Sequence, residues 1–441
     1  MKISTKGRYA LRLMLELAEN YGKGYITLKD ISHHQDLSGK YMEQIAAQLT
    51  RADYVKSVRG AQGGYMLSNP PESYTVGMIL RLMEGSLAPV QCVDGLPCER
   101  EKNCSTIKVW KLISEAVDKV VDNITLADII SDNEERGAAE KMSSVKEEIL
   151  KLKKEKNALV LAHYYQSLEV QEIADHVCDS FEMAKRARAA EEQLIIICGV
   201  HFMAESAKIL SPQKKVLIPR PDAGCPMADM VTAEGVIEMR KKYPEAAVVC
   251  YVNSSAAVKA VSDICCTSSS ALRIVRSLKE KQIIFVPDCN LGRFSAEQVP
   301  EKEFIFWDGY CPVHNQVTRQ NVLDAKAKLP GAKFLVHPEC RAEVVNEADV
   351  IGSTAEIINY VEKSDEESFI IGTELEIARR LENKFPEKKF VTVMDDFECV
   401  NMKKTTLEDV LACLKEEKNE IVLSDEEIAG ARESLERMVN C

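Results

Sequence analysis

A chain of 441 residues, 46% apolar and 29% charged, is long enough for two to four soluble domains. None of its apolar runs approaches the roughly 18 residues of a membrane span, and the basic start MKISTKGRYALRLM carries Arg12 among helically spaced apolar positions. A cytoplasmic protein without a membrane partner is expected. Fifteen cysteines without an export signal argue against a disulfide framework and for thiolate ligands, reactive thiols or core cysteines. The net charge is −12, yet residues 1–91 carry an excess of three positive charges, so only the front could tolerate a phosphate backbone.

Taken in order, apolar spacing predicts a helix over Lys6–Asn20, a short helix LKDISHHQ, a turn, and a longer helix over SGKYMEQIAAQLTRA. Two extended pieces, YVKSVRG and GYMLS, are joined by AQGG, where Gly63 and Gly64 permit a tight hairpin. A helix–turn–helix with a glycine-tipped hairpin is a winged-helix pattern, though a three-helix protein-binding module would share it. As a winged helix it would offer Ser38, Lys40, Tyr41 and Gln44 to the major groove, and Arg59 on the wing to phosphate or the minor groove. Cys92, Cys98 and Cys104 then recur at even spacing in a charged loop, poor core material and better read as metal or cluster ligands than as surface thiols. Only His33 and His34 offer themselves as further ligands, and the spacing is not that of a zinc ribbon.

The stretches MKISTKGRYAL, LSGKYMEQIAAQL and VKSVRGAQGGYML, with the three-cysteine loop, resemble the winged-helix repressors of the IscR type over residues 1–130. The resemblance implies a homodimer that binds DNA and carries a second iron–sulfur cluster on the loop cysteines. Near relatives place a histidine three residues after the last cysteine; this chain has Ile107.

Residues 131–144, polar and without apolar periodicity, are predicted as a linker. Beyond it the sequence repeats. ALVLAHYYQ, AVVCYVN and KFLVHPE are short apolar strands ending in polar loops, and they align on His163, Tyr251 and His337. Two residues on stand Tyr165, Asn253 and Glu339; twelve on, Asp175, Asp263 and Asp349; seventeen on, Ser180, Ser268 and Thr354. Cys225, Cys311 and Cys399 follow their anchors by 62, 60 and 62 residues, each after a further apolar strand. Strands alternating with helices predict three α/β units with parallel sheets, about 145–230, 231–318 and 319–441, arranged about a pseudo-threefold axis. Functional residues on such units sit at strand carboxyl ends, so the three loops and their cysteines would meet at the centre.

Three thiolates can hold a 4Fe–4S cube whose fourth iron stays open as a Lewis acid, or a zinc ion, although no paired-cysteine knuckle supports zinc. Ser180, Ser268 and Thr354 read as helix N-caps that also form an anion pocket. His163, Tyr165, Tyr251, Asn253, His337 and Glu339 supply donors, acceptors and a general base, while the three aspartates read as structural.

The stretches LAHYYQ, GVHFMAESAKIL, AGCPMADM, YVNSSAAVKAVSDICCTSSSA, PDCNLGR, GYCPVH, VHPEC, ADVIGST and CVNMKKTTL resemble the quinolinate synthases over residues 143–441. That resemblance implies three αβα units around a 4Fe–4S cluster on Cys225, Cys311 and Cys399. It implies condensation of iminoaspartate with dihydroxyacetone phosphate to quinolinate, on the route to NAD, and an iminoaspartate supplier such as an aspartate oxidase. It assigns substrate binding to His163, Ser180, Tyr251, Asn253, Ser268, His337, Glu339 and Thr354, with Glu339, Tyr165 and His337 moving protons. A departure is Val400, where the family usually has proline. Two other readings use the same residues: a transcription factor whose second half only senses NAD precursors, and an aconitase-like dehydratase with open-iron chemistry.

Overall fold

The hydroxyl of Ser4 accepts the backbone N–H groups of Lys6 and Gly7 and so starts helix α1, Thr5–Glu19, in the computed structural model, which describes residues 3–60, 63–99 and 103–441. Thr27 caps α2, Leu28–His34, in the same way, and α3 follows as Gly39–Arg51. Strands β1, Val55–Val58, and β2, Gly64–Leu67, pair antiparallel as the predicted hairpin; Ala61 and Gln62 at its tip lie outside the described residues. A side chain at Gly64 would collide with the carbonyl of Ile26, so glycine is required there. Helix α4, Val76–Glu84, packs with α1 and α3 around Leu13, Met14, Leu17, Met42, Ile45, Leu49 and Ile79. Helix α5 is Ile107–Asn123 and α6 is Leu126–Glu155.

The chain divides into two units, Met1–Lys141 and Met142–Cys441, and the division falls within the predicted linker. The linker itself is corrected: residues 131–144 are helical, inside α6. The stretch has no proline and one glycine, and eight of its fourteen residues are alanine, glutamate, arginine, lysine or methionine, all good helix formers, so polarity without periodicity was no bar to a helix.

In the second unit one arrangement occurs three times. Strands β3 (Ala158–His163), β4 (His176–Cys178), β5 (Leu194–Cys198) and β6 (Lys215–Leu217) form a parallel sheet in the order β4-β3-β5-β6. Strands β7 (Ala247–Tyr251), β8 (Ile264–Cys266), β9 (Gln282–Val286) and β10 (Glu303–Phe306) repeat it as β8-β7-β9-β10. The third sheet, β11 (Lys333–Val336), β12 (Val350–Ile351), β13 (Ser368–Gly372) and β14 (Lys389–Thr392), is ordered β12-β11-β13-β14. Every residue of β3, β5 and β7 is buried, as expected for parallel strands with helices on both faces.

The repeated aspartates hold these sheets in register. Each receives through Oδ2 the N–H of a residue on the first strand of its sheet: Asp175 from Val160 at 2.8 Å, Asp263 from Val248 at 2.7 Å, Asp349 from Phe334 at 2.8 Å. Each also donates its own N–H back to the carbonyl of the same residue. That two-way latch is the structural role expected of them.

Candidate active site

The first strand of each sheet delivers its anchor to one place. His163 and Tyr251 end β3 and β7, and His337 follows β11 directly. Their carboxyl ends surround a cavity of about 260 Å³, lined by all eight residues expected to bind substrate, by Tyr165, and by Cys225, Cys311 and Cys399. Among the described residues no lysine or arginine lines it.

The hydroxyls expected at helix caps do other work. The helix Ser180–Ala189 is capped by Asp179, and Thr354–Lys363 by Ser353, which forms a capping box with Glu356. Ser268 precedes its helix, Ala271–Ser277, by three positions. Asp179 and Ser353 therefore satisfy first-turn N–H groups in the first and third repeats, while the helix of the second repeat has no side-chain cap among the described residues. Ser180, Ser268 and Thr354 remain available to the cavity.

Polar contacts run across the cavity through all three repeats. Tyr165 Oη lies 2.9 Å from Thr354 Oγ1 and 2.8 Å from Thr373 Oγ1. Thr373 Oγ1 lies 3.0 Å from His314 Nε2, and His314 Nδ1 lies 2.8 Å from Glu339 Oε2. Tyr251 Oη donates to Glu339 Oε1 at 2.5 Å, and His337 Nε2 sits 3.2 Å from Ser268 Oγ. The buried Oδ1 of Asn253 has no hydrogen-bond partner among the described residues, an acceptor in the lining of the cavity.

Burial fixes the charge states. It pushes the His163 imidazole down to about 3, helped by Lys403, and His337 down to about 4 against the pull of Glu339, so both are neutral at neutral pH. Burial alone would raise the Glu339 carboxyl, but His337, His314 and the hydrogen bonds from His314 and Tyr251 outweigh it and hold the group at about 2. Burial holds the phenols of Tyr165 and Tyr251 protonated.

The cysteines stand in loops beyond the last strand of each sheet. Burial raises all three thiols, Cys225 to about 12, Cys399 to about 11 and Cys311 well above its ordinary value, and the mutual repulsion of Cys225 and Cys311 with the other sulfurs adds to it. Three thiolates there need a cation to offset their charge. The sulfurs do not form a set within 4.8 Å of one another, whereas thiolates sharing one zinc at about 2.3 Å would be closer than that. A donor set of three separated sulfurs in a cavity without a lysine or arginine fits a cationic cluster larger than one ion.

Two cysteine loops are clamped by buried carboxylates that the sequence reading missed. Asp288 Oδ2 accepts the Cys311 N–H at 3.0 Å while Oδ1 caps the helix Cys289–Glu297 through Leu291. At the same place in the third repeat, Glu374 accepts the Cys399 N–H at 3.4 Å and caps Leu375–Lys384 through Glu376. Lys403 binds that carboxylate at 3.0 Å and the Tyr165 carbonyl at 2.6 Å. In the first repeat the position is Val200, which lines the cavity and caps nothing with its side chain. His314 and Thr373 were also missed. The spacing Cys311–His314 on one short helix was the available signal for the histidine.

In the first unit Ser38, Lys40, Gln44 and Arg59 are exposed as expected. Tyr41 is half-buried and packs edge-on against Tyr9, ring centres 5.8 Å apart, so much of its ring belongs to the core rather than to a groove-facing surface. Cys92, Cys98 and Cys104 are half-buried and are not brought into one tight donor set; residues 100–102 between the last two lie outside the described residues.

Residues 147–440 match the family model described as Quinolinate synthetase A protein, and residues 3–132 match the one described as Iron-dependent Transcriptional regulator. The chain is 52% identical over 295 residues to a quinolinate synthase of Caldicellulosiruptor bescii, covering 67% of this chain and 97% of that protein. It is 50% identical over 293 residues to a quinolinate synthase of Alkaliphilus metalliredigens, covering 66% and 97%. Among solved structures, CymR (YrzC), the global cysteine regulator of B. subtilis, is 42% identical and covers 30% of this chain and 97% of its own, with a TM-score of 0.27. Among the described residues no helix is long and apolar enough to cross a membrane.

Proposed function

The chain belongs to the quinolinate synthase family, with an iron-dependent transcriptional regulator domain ahead of it, and from that membership we propose that its second unit condenses iminoaspartate with dihydroxyacetone phosphate. The products are quinolinate, inorganic phosphate and water. The observation that carries this reading is the meeting of the repeated polar positions other than the three latch aspartates, with all three repeat cysteines, around one cavity.

Cys225, Cys311 and Cys399 would hold a 4Fe–4S cluster, which when bound supplies a Lewis acid at the iron no cysteine takes. Ser180, Ser268 and Thr354 hold carboxylate and phosphate oxygens by hydroxyl donation, since no lysine or arginine among the described residues lines the cavity. The unpartnered Oδ1 of Asn253 suits a substrate N–H or O–H rather than a carboxylate. A carboxylate held as low as Glu339 is a weak base on its own. Its contact with His314 makes the pair the proton acceptor, with the carboxylate orienting the ring and offsetting the charge it gains. The proton taken by the His314–Glu339 pair returns to departing oxygen through Thr373 and Tyr165, and neutral His337 assists as a hydrogen-bond donor without giving up its proton.

For the first unit we propose sequence-specific DNA binding through Ser38, Lys40, Gln44 and Arg59, with the edge of Tyr41, and a second cluster on Cys92, Cys98 and Cys104. Val109, Leu112, Ile113 and Val120 leave an apolar stripe exposed on α5, which supports a homodimer formed along that helix. The unstable imine implies a supplier that oxidises aspartate at its amino-bearing carbon, in the same cytoplasm.

Product stoichiometry tests the reaction. Cluster-reconstituted protein given freshly generated iminoaspartate and dihydroxyacetone phosphate is expected to release one phosphate per quinolinate. Ligand binding without either product would leave the sensor as the better account.

A further inference from the structure

His314 and Glu339 crowd one cysteine and not the other two. His314 Nδ1 lies 2.8 Å from Glu339 Oε2 and 3.3 Å from Cys311 Sγ. All three donor atoms lie within 4.8 Å of one another, the one such set of histidine, cysteine and carboxylate donors among the described residues. Zinc bonds of about 2.0–2.3 Å in a tetrahedron place donors roughly 3.3–3.8 Å apart, so shifts of an ångström or less would close the set. Sulfur, imidazole nitrogen and carboxylate oxygen are the three donor types zinc takes, and the cavity leaves a fourth position open.

Each donor is also held from behind, as ligands of a metal site are. His314 Nε2 faces Thr373 Oγ1 at 3.0 Å, Glu339 Oε1 accepts from Tyr251 Oη at 2.5 Å, and the Cys311 N–H donates to Asp288 at 3.0 Å. His314, Glu339 and Thr373 are buried.

We propose that the cluster-free protein binds one zinc-type divalent ion at Cys311, His314 and Glu339, and that this ion competes with cluster insertion. On binding, the Cys311 thiol gives its proton to solvent. His314 keeps a single proton, on Nε2, donated to Thr373, and Nδ1 takes the metal. The Glu339 carboxylate binds as it stands. Because Cys311 serves both, the zinc and cluster states exclude one another, and the zinc state also removes Glu339 from proton transfer. The proposal depends on no step of the condensation, so its failure would leave that reading untouched.

The test uses full-length, cluster-free protein with Cys92, Cys98 and Cys104 changed to serine, titrated anaerobically with cobalt(II) as the spectroscopic probe and then with zinc. One cobalt per chain is expected, with a thiolate-to-cobalt absorption band that zinc abolishes by displacement. The band should survive Cys225→Ala and Cys399→Ala and vanish in Cys311→Ala. Affinity should fall at least about tenfold in Glu339→Gln and in His314→Ala or the bulkier His314→Gln. Zinc-loaded protein should take up iron and sulfide only after a chelator removes the zinc. A band that persists in Cys311→Ala, or an affinity unchanged in both His314 variants, would overturn the proposal. Loss in Cys225→Ala and Cys399→Ala would instead put the ion on three cysteines and overturn it equally.

Discussion

At the scale of single residues the site is asymmetric in a way its repeats conceal. Asp288 and Glu374 each bind a helix N-terminus and a cysteine N–H, while Val200 does neither. Groups that hold a metal ligand in place from behind typically matter about 10–100-fold in metal affinity. Asp288→Ala and Glu374→Ala are therefore expected to lower cluster retention after gel filtration, and Val200→Ala to leave it unchanged. Equal retention in all three would show that the loops need no clamp. Glu339→Gln should keep its cluster yet lose about 10²–10⁴ in kcat, since it removes the partner of the proton acceptor; full turnover in that variant would contradict the assignment. His163 gives a pH signature. Its folded value is pushed down to about 3 from 6.5, so the unfolded chain takes up the proton first as pH falls. Its contribution to stability is complete above about 6.5 and is lost progressively towards 3. In His163→Gln the drop in denaturation midpoint between pH 7 and pH 5 should shrink; an unchanged drop would assign it to other groups.

At the scale of elements, the latch on the first strand of each sheet explains why the repeat could be read from sequence at all. Asp175, Asp263 and Asp349 must stand at one spacing because each closes the same pair of hydrogen bonds. Asp263→Ala should cost about 1–2 kcal/mol in chemical denaturation, the scale of a charged acceptor lost from a partly exposed site; a cost near zero would mean the backbone bond suffices. Residues outside the periodic set were not legible. His314, Thr373, Asp288 and Glu374 lack a matching side chain in every copy, so their roles appear only once the loops meet. Ser180, Ser268 and Thr354 were legible as positions, but the capping neighbours of Ser180 and Thr354 were not, because a hydroxyl beside a helix start reads alike whether it or its neighbour binds the N–H groups. The 131–144 part of helix α6 was missed because it carries no apolar face to betray it, whereas the charged helix VKEEILKLKKEK that follows was legible.

At the scale of the whole molecule, two families share one chain, and each unit has its own core. The apolar stripe on α5 belongs to the first unit, and Leu112→Glu there is expected to turn a dimer into a monomer in sedimentation while leaving the second unit folded. An unchanged sedimentation coefficient would move the dimer contact elsewhere. The second unit is proposed to make quinolinate with a cluster on three repeat cysteines. Quinolinate formation by anaerobically reconstituted full-length protein, set beside Cys225→Ala, Cys311→Ala and Cys399→Ala prepared identically, tests it most directly. Turnover is expected in the parent chain and none in any of the three, with their iron content reduced at the second unit. Turnover that survives the loss of Cys311, or an intact cluster with no turnover in the parent chain, would contradict it.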